Sequence, residues 1–177
     1  KKNRQTDTLL WMMGLGTLLV VVAIVYAVIT SNQIKVGELS SYQQDGLSGL
    51  GDPNAPVLIQ EFSDFGCNHC ADFALETKEL LIEEYVNTGK VYLEYHSVGG
   101  MLQSFATLQA AEAAYCAGEQ NAFWQYHDVI FQNQTTLFSN RAADNTSKLT
   151  KIAGILDLDQ DQFQRCLFDR TYLDLAA

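Results

Sequence analysis

The stretch that decides the fold is VLIQEFSDFGCNHC, residues 57–70, in which an apolar run leads into two closely spaced cysteines. Residues 57–62 have the length and composition of a short, mostly buried β-strand. Helical character begins near Cys67 and continues to Gly89, a residue type that favours helix C-termini. Residues 91–96 predict a second strand, and the connection between the two runs suits a right-handed crossover between parallel strands. The cysteines are therefore predicted to lie at the first strand-to-helix junction of a β-α-β unit.

The spacing of Cys67 and Cys70 indicates redox chemistry. Two intervening residues place both cysteines on one helical turn, where their sulfurs can bond. The Cys67 sulfur would lie at the helix N-terminus, where free backbone N–H groups and the positive end of the helix dipole favour its thiolate. We therefore predict that Cys67 is the nucleophile and that Cys70, one turn deeper, resolves the mixed disulfide. His69, through a hydrogen bond or a positive charge near the Cys67 sulfur, would make the pair a stronger oxidant.

Two other interpretations of this pair are a plain stabilising disulfide and half of a zinc site. A zinc site would require two more ligands, and the sequence has neither a second C-x-x-C nor an H-x₃₋₅-H motif. The position at a strand-to-helix turn favours the redox interpretation. We predict no metal and no other cofactor.

Beyond Gly99 the signals are helical to the last residue. Four runs have helical patterns and end or begin in short polar stretches: residues 108–120, 121–134, 147–158 and 161–175. Four cysteines allow three pairings, and their uneven spacing favours Cys67 with Cys70 and Cys116 with Cys166. We interpret the second pair as a structural disulfide.

The N-terminal part has the pattern of a membrane anchor. Residues 9–30, LLWMMGLGTLLVVVAIVYAVIT, contain no charge and would form a helix of roughly 33 Å, long enough to cross a bilayer. Three basic residues lie in residues 1–8, so we expect this tail to be cytoplasmic and the rest to lie outside the plasma membrane. Residues 31–51, rich in Gly, Ser, Gln and Asp, would be an extracytoplasmic linker. Disulfides persist in that compartment.

The overall charge argues against one class of partner. The chain carries 21 acidic and 11 basic residues, a net charge of −10. Since nucleic acids are bound mainly through cationic side chains that neutralise phosphates, we expect no nucleic-acid partner.

Three stretches carry a resemblance to a known family. EFSDFGCNHC (61–70) resembles the active-site segment of DsbA-like thiol-disulfide oxidoreductases, in their membrane-anchored bacterial branch. AAEAAYCAGEQNAFWQYHDVIFQNQ (110–134) resembles the helical insertion of that family, and FQRCLF (163–168) resembles a later helix with the second structural cysteine. The resemblance covers about residues 52–172. It implies an α/β thioredoxin fold interrupted by a helical subdomain, and a role in making or rearranging disulfides of exported proteins.

The resemblance also assigns roles to single residues. Glu61 matches the buried acid that, in the family, exchanges protons with the deeper cysteine; the alternative is a strand-end glutamate that faces water. Asn68 replaces the proline that is common between the family's two cysteines. Trp124 and His127 are interpreted as packing residues, because aromatic residues at helical spacing usually belong to a core.

The sequence departs from the family after the helical insertion. A cis-proline loop, two further strands and a final helix are not found, and both prolines, Pro53 and Pro56, precede the cysteines. We therefore expect these 177 residues to be part of a longer polypeptide. Residues 52–177 would form the thioredoxin-like domain, with the insertion at about 101–177, and their sheet would have two strands.

Two functions are compatible with these patterns. The first is a membrane-anchored oxidoreductase whose partners are exported proteins with thiols and a membrane redox protein that recycles the cysteine pair. The second is an accessory subunit of a larger membrane complex, with a partly ordered domain and an anchor that packs against other subunits. Ala23 and Ala27 form a small-xxx-small pair of the kind that lets helices approach closely.

Overall fold

The computed structural model describes residues 4–31, 33–37, 39–99, 104–140 and 142–177, and the chain divides into two units, Lys1–Gln33 and Ile34–Ala177. The first unit contains helix α1, Arg4–Ser31. Within the part of the chain that the structure describes, no helix has both the length and the apolar character needed to cross a membrane. The span predicted at residues 9–30 overlaps α1 and stays a prediction. The basic residues Lys1 and Lys2 lie outside the described residues.

The second unit is built on a four-stranded sheet in the order β1-β2-β4-β3. Its strands are β1 (Gln44–Asp45), β2 (Gly49–Leu50), β3 (Val57–Ser63) and β4 (Val91–Ser97). Strands β3 and β4 are parallel and in register from Val57 opposite Val91 to Ser63 opposite Ser97, which confirms the predicted pair. Strand β2 pairs antiparallel with β1 on one side and with β4 on the other.

The short hairpin of β1 and β2 corrects the prediction for residues 31–51. We expected a linker there, but residues 44–50 extend the sheet and Leu50 is buried in the core. Gly46 has φ +58, which a tight turn requires, and a side chain at Gly49 would overlap the Tyr92 hydroxyl. The hairpin therefore depends on small residues and backbone pairing, which a search for apolar runs does not detect.

The segment before the hairpin also lies on the second unit. The backbone N–H of Lys35 donates to Asn133 Oδ1 at 2.7 Å, and that of Gly37 donates to Gln132 Oε1 at 2.8 Å. Ile34 and Leu39 pack against the core. We call residues 34–42 the strap, excluding Glu38, which lies outside the described residues.

Helices make up the rest of the second unit. The segment between β3 and β4 contains α2 (Asn68–Asp72), a π-helical stretch (Phe73–Thr77), α3 (Lys78–Leu81) and a second π-helical stretch (Ile82–Val86). After β4 come α4 (Phe105–Gly118), α5 (Phe123–Gln132), α6 (Gln134–Phe138), α7 (Thr146–Ile155), α8 (Gln160–Phe168) and α9 (Leu173–Ala176). The predicted helical insertion agrees with these helices, although residues 101–103 lie outside the described part.

The core lies between the sheet and the insertion. Helix α4 is alanine-rich and almost entirely buried, so α5 and α8 approach its backbone closely. A disulfide joins Cys116 on α4 to Cys166 on α8, with their Cα atoms 5.8 Å apart. This is the pair expected from the cysteine spacing. The bond ties the insertion together across 50 residues of sequence.

Candidate active site

The turn between β3 and α2 positions the cysteine pair. The Asp64 side chain accepts from the N–H of Gly66 at 2.6 Å, and the Asp64 carbonyl accepts from the N–H of Cys67 at 2.9 Å. A side chain at Gly66 would meet Thr107 at 2.6 Å, so the turn requires glycine there. Cys67 has extended backbone and caps α2, whose first residue is Asn68. The first cysteine thus lies at the start of a helix, as the sequence predicted.

The two thiols of the pair are free and differ in their surroundings. Burial raises the pKa of the Cys70 thiol above its ordinary value of 9.0, and the nearby Ser63 hydroxyl offsets this only in part. Cys70 therefore holds its proton at neutral pH. Any reaction in which Cys70 attacks or leaves as a thiolate needs a group that takes up or supplies that proton.

His69, expected to act on the Cys67 sulfur, lies at the surface. Its side chain is 96% exposed, and its Nδ1 lies 3.5 Å from Asp72 Oδ2, one turn along the helix. An ion pair with this exposure is weak, because water and salt screen it. The structure thus pairs His69 with Asp72, and its influence on the oxidising strength of the pair stays a prediction.

Glu61 lies on the core side of β3, opposite Tyr95 in the parallel register. Both carboxyl oxygens are buried, and neither has a hydrogen-bond partner among the described residues. Burial raises the pKa of Glu61, while the charges of His127 and Lys78 act in the opposite direction. The water-facing alternative for Glu61 is therefore excluded, and burial favours the protonated form of this carboxyl.

Behind Glu61 lies a buried charged cluster that the sequence did not reveal. Lys78 is completely buried, and its Nζ donates to the Tyr42 hydroxyl at 2.6 Å, to Glu79 Oε1 at 3.0 Å and to Asp128 at 3.2 Å. The Tyr42 hydroxyl also contacts Asp128. The sequence signal for this cluster is the position of Lys78, which shares the helical spacing of the buried residues Ala71, Ala74 and Ile82.

His127 and Trp124 are buried within rings, as expected of packing residues. The His127 ring is surrounded by Tyr95 and Phe131, with centroids 5.5 and 4.8 Å away, and its Nδ1 lies 2.8 Å from Asp128 Oδ1. Burial raises the pKa of Asp128, but the His127 hydrogen bond and the Lys78 charge outweigh it and lower that pKa overall. His127 therefore has a polar contact that packing alone does not explain.

Gln134, on α6, holds the redox turn from the side of the insertion. Its Nε2 donates to the carbonyl of Phe65 at 3.0 Å and to that of Cys67 at 2.9 Å. The insertion thus contributes directly to the position of Cys67. Nothing in the local sequence around Gln134 indicates this contact, because it spans 67 residues.

Comparison with known proteins places this site in a family. The family model described as "Thioredoxin" matches residues 44–177. The probable disulfide bond formation protein D of Bacillus anthracis is 31% identical over 121 residues, which are 68% of this chain and 55% of that protein. The Na(+)/H(+) antiporter NhaA 3 of Salinispora tropica is 38% identical over 120 residues, which are 68% of this chain and 17% of that protein. The chain thus spans little more than half of one relative and less of the other.

A solved structure agrees with these relatives. The crystal structure of α-DsbA1 from Wolbachia pipientis superposes with a TM-score of 0.62 at 26% identity, over 81% of this chain and 67% of that one. The fold shared with this structure, the matched family model and the cysteine pair at the start of α2 lead to the same assignment. The chain belongs to the thioredoxin family, among its DsbA-like thiol-disulfide oxidoreductases.

Proposed function

We propose that this chain is the catalytic domain of a protein-disulfide oxidoreductase that exchanges disulfides with thiols of exported proteins. The observation that carries the proposal is the arrangement of three groups. A free Cys67 caps a helix at the end of β3, Cys70 lies one turn deeper with its proton retained, and the carboxyl of Glu61 is buried on the same side of the sheet.

The exchange follows from this arrangement. A client thiolate attacks the Cys67 sulfur of the oxidised pair, the Cys67–Cys70 bond breaks, and Cys70 leaves as a thiolate that takes up a proton. A second client thiolate then attacks the client sulfur of the mixed disulfide and releases Cys67 as a thiolate. The client loses two electrons and gains a disulfide, and the cysteine pair is reduced. A membrane redox partner would reoxidise it.

Glu61 is the proton donor and acceptor for Cys70 in this scheme. Its carboxyl is buried, and burial raises its pKa, which favours the protonated form that can give a proton to the leaving thiolate. In the reverse direction the Glu61 carboxylate would take the proton of Cys70 before Cys70 attacks the mixed disulfide.

The proposal is tested by catalysed oxidation of a reduced, unfolded client protein, with the full chain in its oxidised form. We expect disulfide formation that Cys67→Ser and Cys70→Ser each abolish, because neither variant can hold the Cys67–Cys70 disulfide that accepts the two electrons of the client. Absence of any acceleration by the unaltered chain would contradict the proposed function.

Membrane anchoring is a separate part of the proposal. The uncharged residues 9–30 and the basic residues ahead of them support a single-pass anchor with a cytoplasmic N-terminus and an external catalytic domain. The full chain should stay with the membrane fraction after alkaline carbonate extraction, and a protease added outside should digest the catalytic domain. Release of the chain into the soluble fraction would contradict this part alone.

A second candidate function is an accessory domain of a membrane assembly. The similarity to a protein named as a Na(+)/H(+) antiporter favours it, because the matched stretch makes up only 17% of that longer protein. Under this function the chain would co-purify with membrane subunits and show no client oxidation.

A further inference from the structure

Buried polar atoms without partners are concentrated on β3, the strand that leads to the cysteine pair. Among the described residues, five buried side-chain atoms have no hydrogen-bond partner: Glu61 Oε1, Glu61 Oε2, Ser63 Oγ, Gln125 Oε1 and His127 Nε2. Three of the five belong to β3 and lie at Glu61 and Ser63. Native proteins satisfy most buried polar groups, since an unpaired one costs stability. A group of such atoms in one place therefore calls for a functional explanation.

The position of Ser63 connects the two groups that must exchange a proton. Residues 61 and 63 face the same side of the sheet, because side chains alternate along a strand. Ser63 is the last residue of β3 and is 1% exposed. Its hydroxyl lies near enough to Glu61 and to Cys70 to lower the pKa of each, although it meets hydrogen-bond geometry to neither.

The backbone of Ser63 is held while its hydroxyl is left free to rotate. The Ser63 carbonyl accepts from the N–H of Val98 at 2.9 Å and from the Tyr95 hydroxyl at 3.2 Å. The hydroxyl itself has no such restraint. A serine hydroxyl can donate one proton while it accepts another, which a relay between a thiol and a carboxyl requires.

We propose that the Ser63 hydroxyl relays the proton between the Glu61 carboxyl and the Cys70 thiol, an inference that rests on the proposed oxidoreductase function. When Cys70 leaves as a thiolate, Ser63 donates its O–H proton to that sulfur and accepts the proton of Glu61. The balance is one protonated Cys70 and one Glu61 carboxylate, with Ser63 unchanged. In the reverse direction Cys70 loses its proton through Ser63 to the carboxylate.

The pH dependence of the relay is set by the groups around Glu61. His127 on α5 and Lys78 on α3 favour the carboxylate, whereas burial and the charge of Asp128 favour the protonated acid. Tyr95 on β4 lies opposite Glu61 and stays neutral, because burial raises its pKa well above 10. The protonation of Glu61 thus controls the rate only while Ser63 connects it to Cys70.

The test separates a relay from a structural role. Ser63→Ala removes an unpaired hydroxyl, so its melting temperature should equal or exceed that of the unaltered chain. In the Ser63→Ala variant, glutathione should reduce the Cys67–Cys70 disulfide on the order of tenfold more slowly. The rate should also no longer depend on the ionisation of Glu61. Ser63→Thr keeps the hydroxyl and should retain both the rate and its pH profile. Ser48→Ala is the control: it removes a hydroxyl from the turn between β1 and β2, where Ser48 donates to the Tyr95 carbonyl at 3.0 Å.

A double variant keeps the proposal testable if Ser63→Thr does not fold. Because the two residues act in one path, Glu61→Gln combined with Ser63→Ala should be no slower than Glu61→Gln alone. A rate for Ser63→Ala within twofold of the unaltered chain from pH 5 to 9, or fully additive effects in the double variant, would overturn the relay. Client oxidation by the unaltered chain, measured in parallel, reports on the proposed function itself: its absence would reject that function, whereas normal oxidation with an unaffected Ser63→Ala would reject only the relay.

Discussion

At residue 61 the fold holds a carboxyl group out of water. Because burial raises the pKa of Glu61 above its ordinary value of 4.5, the folded protein binds this proton more tightly than the unfolded chain does. The contribution of Glu61 to the free energy of unfolding is therefore fully present below about pH 4.5, the ordinary pKa of the unfolded chain. It is lost as the pH rises through the raised pKa of the folded protein. Glu61 thus acts against folding at the pH at which it would work.

The first prediction is that Glu61→Gln stabilises the protein at neutral and higher pH. Because the pKa is raised only in the folded state, the gain in unfolding free energy should be present at pH 8 and disappear at pH 4. Urea unfolding of both proteins across this range measures the difference. If Glu61→Gln is no more stable than the unaltered protein at pH 8, ionisation of the buried Glu61 carboxyl does not destabilise the fold.

A second prediction at this scale concerns the two thiols. Cys70 keeps its proton because burial raises its pKa, whereas Cys67 is at the start of the helix. After mild reduction, iodoacetamide at pH 6 to 7 should modify Cys67 several times faster than Cys70, as followed by peptide mass spectrometry. Equal rates at the two cysteines would be inconsistent with the assigned roles.

At the scale of elements, the buried cluster around Lys78 joins three parts of the chain. The lysine is on α3, Tyr42 comes from the strap, and Asp128 comes from α5. A buried charge is tolerated only when it is paired and hydrogen-bonded, so each part depends on the others. The strap is therefore part of the folded domain, although its composition is that of a linker.

The third prediction follows from this dependence. Lys78→Met leaves Asp128 buried without its cation and should destabilise the domain by about 3–5 kcal/mol. Lys90→Met is the matched control, since Lys90 is exposed and its Nζ lies 5.7 Å from the centre of the Tyr85 ring. Adding Asp128→Asn to Lys78→Met should recover part of the loss. Equal unfolding free energies for the Lys78 and Lys90 variants would contradict this view of the cluster.

For the molecule as a whole, sequence periodicity predicted those helices and strands whose formation depends on neighbouring residues in the chain. The apolar runs that became β3 and β4, the helix that begins after Cys67 and the helical insertion were all visible as periodicity. The hairpin at residues 44–50 was missed, because it is built from backbone pairing and glycines. Ser63 and Gln134 were missed for another reason: their partners are set by tertiary packing, and no spacing rule connects Gln134 with Cys67.

The disulfide between α4 and α8 gives a prediction for the whole domain. Its loop of 50 residues corresponds to about 4 kcal/mol in the chain-entropy model. Replacing Cys116 and Cys166 together by alanine should lower the unfolding free energy by about that amount, while glutathione exchange at Cys67 keeps its rate. A loss of exchange in a variant that remains folded would give these cysteines a catalytic role instead.

The most direct test of the central claim is to trap the intermediate. A full chain with Cys70→Ser, mixed with reduced and partly oxidised client proteins, should accumulate disulfide-linked complexes through Cys67, visible on non-reducing gels and located by mass spectrometry. The double variant, with both Cys67→Ser and Cys70→Ser, should form no such complexes. Complexes that are absent from the Cys70→Ser chain, or that form equally well without Cys67, would contradict the assignment of this pair as the redox centre.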